Sequence, residues 1–420
     1  MKYRTLIDLL LFVLLAVTIL GGDTILPADK IEKVRQFTTD IEFDYINWIL
    51  NALFIKNSQS VLEIPRYITR DQQIQTVESY LDLIQKISNT QARLERIYSD
   101  PNIQNPAESA AKPLAELKRL IAYKQQMGPL AESILQEQES KILVDLGLGL
   151  AGQPIPPVLY HVTPLPLALI VSPRNKIQQD TNISLAPELT IEQIIDLENR
   201  VEKNLNVSAL VVEIGGVGVY PTMVMESSDL PWQIETIAHE WVHNYLTLRP
   251  LGLSYESTPE LRTMNETTAN LAGKEIGLAL LKQLYPRYVP EPAPPVTTSP
   301  TPPTPTTPEN QQPVFDFRAE MHQTRVQVDQ LLSESKIPEA EAYMETRRRF
   351  FWDHGYQIRR LNQAYFSFYG AYADVPGGAA GSDPVGPAVR KLRDKSTSLV
   401  DFLNRISWMT SFDDLKKVIQ

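Results

Sequence analysis

Residues Tyr285–Pro313 carry 11 of the chain's 32 prolines, interleaved with threonine and serine and almost bare of apolar side chains. Proline fixes φ and has no backbone N–H to donate, so no helix or interior strand runs through such a stretch. The composition predicts an extended, solvated linker or loop over 285–313. Any core must therefore be assembled from the segments on either side. With 43% hydrophobic and 21% charged residues in 420, those segments have the composition of globular protein. A net charge of −10 and the lack of any long basic run argue against nucleic acid as a partner. The chain has no cysteine, which excludes disulfides, thiolate metal sites and a cysteine nucleophile.

At the amino terminus, Lys2 and Arg4 precede Leu6–Leu20, an apolar run broken only by Asp8 and Thr18. Positive charge ahead of such a run orients the start inside and the remainder outside. A bilayer core takes about 20 residues, so the run is short, and a cleaved signal or a buried core helix competes with a span. No small-x-small triplet closes it. The expectation is that residues 1–25 are an uncleaved anchor in the cell membrane, single-pass, with the rest of the chain outside the cytoplasm. Secretion after cleavage is the alternative.

Residues 26–150 read as a helical region. Ile31, Val34, Phe37 and Ile41 recur at helical steps, as do Leu81, Ile84 and Ile87. The pattern changes at Gln153–Pro157. Leu165–Val171, Ala209–Ile214 and Tyr220–Met225 are short and apolar like strands, the last following Gly215-Gly216-Val217-Gly218. Between the first two, Thr190–Leu205 reads as a helix with Thr190 and Gln193 as a capping box. After the linker, helices are expected over Phe315–Leu332, Pro338–Phe368 and Val389–Ile406, with a Gly/Pro-rich loop at Gly377–Gly386. The fold class is thus α+β and predominantly helical. A helical region precedes a core over 151–284 with a small sheet, and a helical part over 314–420 completes it.

The stretch from Trp232 to Leu246 holds His239-Glu240-Trp241-Val242-His243. Asp229 and Pro231 suit the start of a helix there, and Pro250 and Gly252 its end. On a helix, residues four apart leave the same face about 6 Å along the axis. Two imidazoles so placed can grip one tetrahedral zinc. Glu240, on the adjoining edge of that face, is placed to take a proton from water at the metal and pass it to a leaving amine. An ordinary polar face is the plainer alternative, but the chain has only five histidines to spend on one. Catalytic zinc takes three protein ligands and leaves one vertex to water. Glu256, Glu260 and Glu266 are the downstream acids. The first two fall in a Ser/Thr/Pro-rich loop, whereas Glu266 opens an apolar helix and is the expected third ligand. A glutamate complementing a helix start is the other reading of it.

His239-Glu240-x-x-His243 followed by Asn265-Glu266 resembles the gluzincin group of zinc metallopeptidases, across roughly Ala209–Leu284. The resemblance implies a zincin-like fold in which an Asn-Glu pair on the next helix supplies the third ligand. It also implies an edge strand along the cleft, for which Tyr220–Met225 is in position and which could pair with an extended peptide, though the segment could equally be a structural strand. In several members an Asp four residues after the Glu braces a ligand histidine; the matching position here is Asn270, an amide, which weakens that role. A donor to the oxyanion is expected too, and Tyr365, Tyr372 and His354 are the candidates, in that order, with packing or a surface contact the plainer reading of each. The expected function is zinc-dependent hydrolysis of peptide bonds in a peptide or protein substrate, with Glu240 as general base. Whether chain ends or interiors are cut stays open. The alternative is a non-catalytic, membrane-anchored helical protein that binds metal and acts through partner contacts.

Overall fold

The computed structural model describes residues 28–290 and 315–420, except 63, 101, 102, 373–378, 380 and 382. Four helices come first: α1 (Ala28–Arg35), α2 (Tyr45–Leu62), α3 (Arg70–Ser99) and α4 (Pro106–Asp145). Thr69 and Gln72 cap α3 reciprocally, and Asn105 with Pro106 starts α4, so both long helices begin where local chemistry satisfies their first N–H groups. A small hairpin follows, β1 (Gly149–Leu150) with β2 (Gln153–Pro154).

The remaining strands form two three-stranded sheets. They are β3 (Tyr160–Val162), β4 (Leu167–Pro173), β5 (Thr181–Leu185), β6 (Val207–Val212), β7 (Gly216–Val217) and β8 (Thr222–Val224), with α5 (Ile191–Leu205) between β5 and β6. One sheet runs β5-β4-β6, fully antiparallel. Successive strand residues face opposite ways, and both faces are covered here. Leu169, Val171, Ala209 and Val211 pack on the side of α5, while Ala168, Ile170, Leu210 and Val212 pack on the opposite side. This is why β4 reads as an unbroken apolar run. The other sheet runs β3-β8-β7, with β3 parallel and β7 antiparallel to β8.

The helices that follow are α6 (Leu230–Thr247), the single turn α7 (Pro250–Leu253), and α8 (Pro259–Leu284). Beyond the proline-rich stretch come α9 (Phe317–Ser333), α10 (Ile337–Asp353), α11 (Gln363–Tyr369), α12 (Val385–Lys395), α13 (Leu399–Ile406) and α14 (Phe412–Ile419). The largest core gathers α3, α4, α6, α8 and α12–α14, with α8 buried on most sides. Fully buried Ile276 and Leu280 on α8 each stabilise by about 1.5–3 kcal/mol. Ion pairs tie the later helices back. Arg359 donates through both Nη atoms to fully buried Glu198 at 2.6 and 2.7 Å, Arg174 grips Glu341, and Arg393 grips Glu275.

The α+β, mainly helical class is as expected, but several expectations are corrected. Among the described residues no helix is long and apolar enough to cross a membrane. The single-pass membrane placement is therefore not upheld, and the run Leu6–Leu20 that prompted it lies outside the described residues. The longest helices, α3 and α4, are threaded with charged residues that no lipid core would accept. The linker expectation begins too early. Tyr285 is 1% exposed and donates its hydroxyl to Gln138 Oε1 at 2.8 Å, and Pro286–Tyr288 form a turn of 3-10 helix; residues 291–314 lie outside the described residues. Val389–Ile406 is two helices, broken where Ser398 caps α13, and Pro338–Phe368 is likewise divided, with Gly355 at φ +88° after α10.

Candidate metal centre

Asp229 caps α6 by accepting from Trp232 N at 3.1 Å, with Pro231 in the first turn. The helix's rotation is set from the sheet side. Trp241 Nε1 donates to Pro156 O at 2.8 Å, and Asn244 Nδ2 donates to Thr222 Oγ1 at 3.0 Å. His239 and His243 are thereby turned toward α8, and Glu240 toward β7. Thr258 and Pro259 start α8 earlier than the sequence reading placed it, so Glu266 sits two turns inside the helix rather than at its start. That removes the helix-start explanation of Glu266. The two helices approach closely because Gly273 faces α6: a Cβ there would lie 3.1 Å from Glu235 O and from His239 N and Cα.

Three donors converge as a result. His239 Nε2 and His243 Nε2 stand 3.0 Å apart, and Glu266 Oε2 lies 3.7 and 3.6 Å from them. Donors about 2.0–2.1 Å from one tetrahedral ion are separated by about 3.3–3.4 Å, so the trio has the dimensions of a metal site. Glu266 Oε2 is buried without a hydrogen-bond partner, an atom that a divalent cation would satisfy. The three residues could hold a metal ion. Their side chains are 13%, 16% and 4% exposed, so the imidazoles keep some contact with solvent while the carboxylate does not. Glu256 and Glu260, the other downstream acids, are exposed and outside this trio.

Around the trio the polar partners are specific. His243 Nδ1 donates to Asn265 Oδ1 at 2.8 Å, which directs Nε2 toward the metal position. Tyr255 donates its hydroxyl to Glu266 Oε1, and Arg262 Nε donates to Tyr255 Oη at 3.3 Å. Glu240 is buried beneath β7, with Gly216 against its carboxylate and Gly218 against the Cβ of His243.

The charges are strongly coupled. Burial raises the Glu240 carboxyl to about 7; the His243 charge opposes this and that of Glu266 adds to it. Burial, the largest single influence, lowers His243, but Glu266, Glu240 and Asn265 together outweigh it and hold it up, to about 9. Burial raises Glu266, yet His243, His239 and Arg262 together pull it down to about 2. Glu266 is therefore an anion at every ordinary pH, as a ligand must be, while Glu240 is poised near neutrality, where a base can both take and return a proton.

Of the three expected oxyanion donors, only Tyr372 comes near. Burial pushes its hydroxyl well above the usual range, and the carboxylates of Glu266 and Glu240 push it further. Tyr365 instead packs in the cores around α11, its ring 4.5 Å from that of Tyr369, and the strongest effect on its hydroxyl after burial comes from Tyr369. His354 is exposed at the end of α10, stacked on Phe315 at 4.1 Å with Nδ1 bonded to Phe350 O. Both take the plainer, packing role. The aromatic crowding that drew attention to them belongs to the core of α9–α11. The strand Thr222–Val224 is also not the edge expected for Tyr220–Met225, since it lies between β3 and β7. The outer strand beside Glu240 is the glycine-rich β7. No protein-family model, curated protein or solved structure matches this chain.

Proposed function

We propose that this chain is a zinc-dependent hydrolase of peptide bonds that works in the manner of the gluzincins. The observation that carries the reading is the convergence of His239, His243 and Glu266 on one point, with Glu240 beside them but outside the trio. Two imidazoles and one carboxylate are a donor set that suits zinc and leaves a fourth vertex open. When bound, the metal would acidify a water and polarise the scissile carbonyl. Glu240 would take a proton from the attacking water and pass it to the leaving amine, a task suited to a carboxyl that burial raises to about 7. Tyr372 is the remaining candidate to donate to the oxygen on which charge develops. An extended substrate is supported by β7, the outer strand of its sheet, which can pair its free side with a peptide next to Glu240.

Glu240→Gln keeps the size of the side chain and removes the base. Peptide turnover should fall by about 100- to 10,000-fold, with metal content unchanged. Turnover by the variant equal to that of the unaltered chain refutes the assigned base. Unit zinc in the unaltered protein without hydrolysis of any member of a peptide library would instead favour a metal-binding protein that acts through partner contacts.

A further inference from the structure

The two oxygens of Glu266 are used differently. Oε2 has no hydrogen-bond partner and faces both imidazole Nε2 atoms, whereas Oε1 accepts from the hydroxyl of Tyr255. Tyr255 lies in the connection between α7 and α8, so no helix dictates its position. Its ring meets that of His243 edge-on, with centroids 6.1 Å apart, and its hydroxyl receives Arg262 Nε. Arg262 is one turn before Glu266 on α8 and 5% exposed, and its Nη1 donates to Ser367 O in α11 at 2.7 Å. A short chain of contacts thus runs from α11 through Arg262 and Tyr255 to the outer oxygen of the third donor.

We propose that Tyr255, steadied by Arg262, is a positioning residue that restricts Glu266 to a single coordinating oxygen. This rests on reading the trio as a metal site. A carboxylate free to turn can offer both oxygens to an ion, raising its coordination number and occupying the vertex that a reacting water needs. A hydroxyl donor on Oε1 holds that oxygen away, and the guanidinium holds the hydroxyl. The same contact also fixes the carboxylate before metal arrives, as partners of metal ligands do elsewhere.

The full chain, stripped of metal with a chelator, is titrated with zinc in competition with a chromogenic chelator. It is also loaded with cobalt(II), whose visible absorption is stronger in four-coordinate than in five-coordinate sites. Tyr255→Phe, which removes one oxygen atom, should weaken zinc binding by about 10- to 100-fold. Its cobalt form should absorb less per ion than that of the unaltered protein at saturating metal. Arg262→Lys, which keeps the charge but loses the fork, should move both readings the same way. The double variant should lose no more than the worse single one, because both act through one contact. Zinc affinity and cobalt spectrum unchanged in Tyr255→Phe, with only the melting temperature lowered, would reduce the residue to packing and overturn the proposal. Failure of the unaltered protein to bind zinc or cobalt is a different result, and it removes the metal-site reading itself.

Discussion

Glu240 owes its position to a residue without a side chain. A Cβ on Gly216 would stand 2.5 Å from Glu240 Oε1 and 2.7 Å from its Cγ, closer than atoms in contact can lie. The backbone of β7 therefore presses directly on the base, and any larger residue must push the carboxylate aside. Gly216→Ala should lower kcat by about 10- to 100-fold, the usual consequence of moving a catalytic group by about 1 Å. Zinc content should stay at the level of the unaltered protein, because the three atoms nearest a Cβ there all belong to Glu240 and none to a metal donor. Steady-state kinetics with metal analysis on the same preparation checks both halves, and normal kcat would show that the carboxylate has room to spare. The histidines and Glu240 were legible in the sequence because their chemistry depends on a spacing that a helix enforces. Gly216 was not, since a glycine carries no periodicity and read only as part of a connector. Tyr255 was hidden for a related reason: it lies in irregular chain, and its partner is brought to it by α8.

At the scale of elements, the site is a junction of α6 and α8, and its dimensions follow from how near the two axes come. Gly273, on the face of α8 that also carries Glu266 two turns earlier, meets backbone atoms of Glu235 and His239. Backbone cannot swing away as a side-chain tip can. Gly273→Ala should thus force the helices apart at an overpacking cost of about 1–3 kcal/mol, read as a lower melting temperature. The displaced Glu266 should also weaken zinc binding, so the variant moves two quantities where Gly216→Ala moves one. Unchanged melting temperature and zinc affinity together would mean that the contact is slack. The elements themselves were largely visible beforehand. The capping pair at Thr190 and Gln193 closes as expected, with Thr190 N donating to Gln193 Oε1 at 2.8 Å. The apolar run of β4 was read correctly as a strand, whereas β5, Thr181–Leu185, was missed because polar Thr181, Asn182 and Ser184 interrupt it. The order of strands was not legible at all. Tyr220–Met225 looks like an edge strand in isolation, and only its pairing with both β3 and β7 places it in the middle.

The stability of the whole molecule should carry the mark of two glutamates seven residues apart on α4, both buried and opposite in sign. Glu132 accepts from Lys56 Nζ at 2.6 Å, lies 3.2 Å from His161 Nδ1 and accepts from Val162 N at 3.1 Å. Burial raises its carboxyl, but these partners outweigh burial and leave it lowered. Its contribution is present above the unfolded carboxylate value and is lost as pH falls through the lowered folded value. Glu139 is fully buried, neither of its oxygens has a hydrogen-bond partner, and burial raises its pKa well above the usual 4.5. Here the sign reverses. The folded protein holds a proton on Glu139 that the unfolded chain releases, so the contribution is complete below the unfolded value and is lost as pH rises toward the raised folded value. Over that interval the loss approaches about 1.4 kcal/mol per pH unit. Glu139→Gln keeps the shape and removes the titration. Its melting temperature relative to the unaltered protein should therefore climb as pH rises above the unfolded carboxyl value, whatever the offset at pH 5. Glu132→Gln should show no such climb, since its linkage lies on the acid side. A pH-independent difference for Glu139→Gln across that range would mean that this carboxyl finds, within the folded chain, a partner or water that lets it ionise.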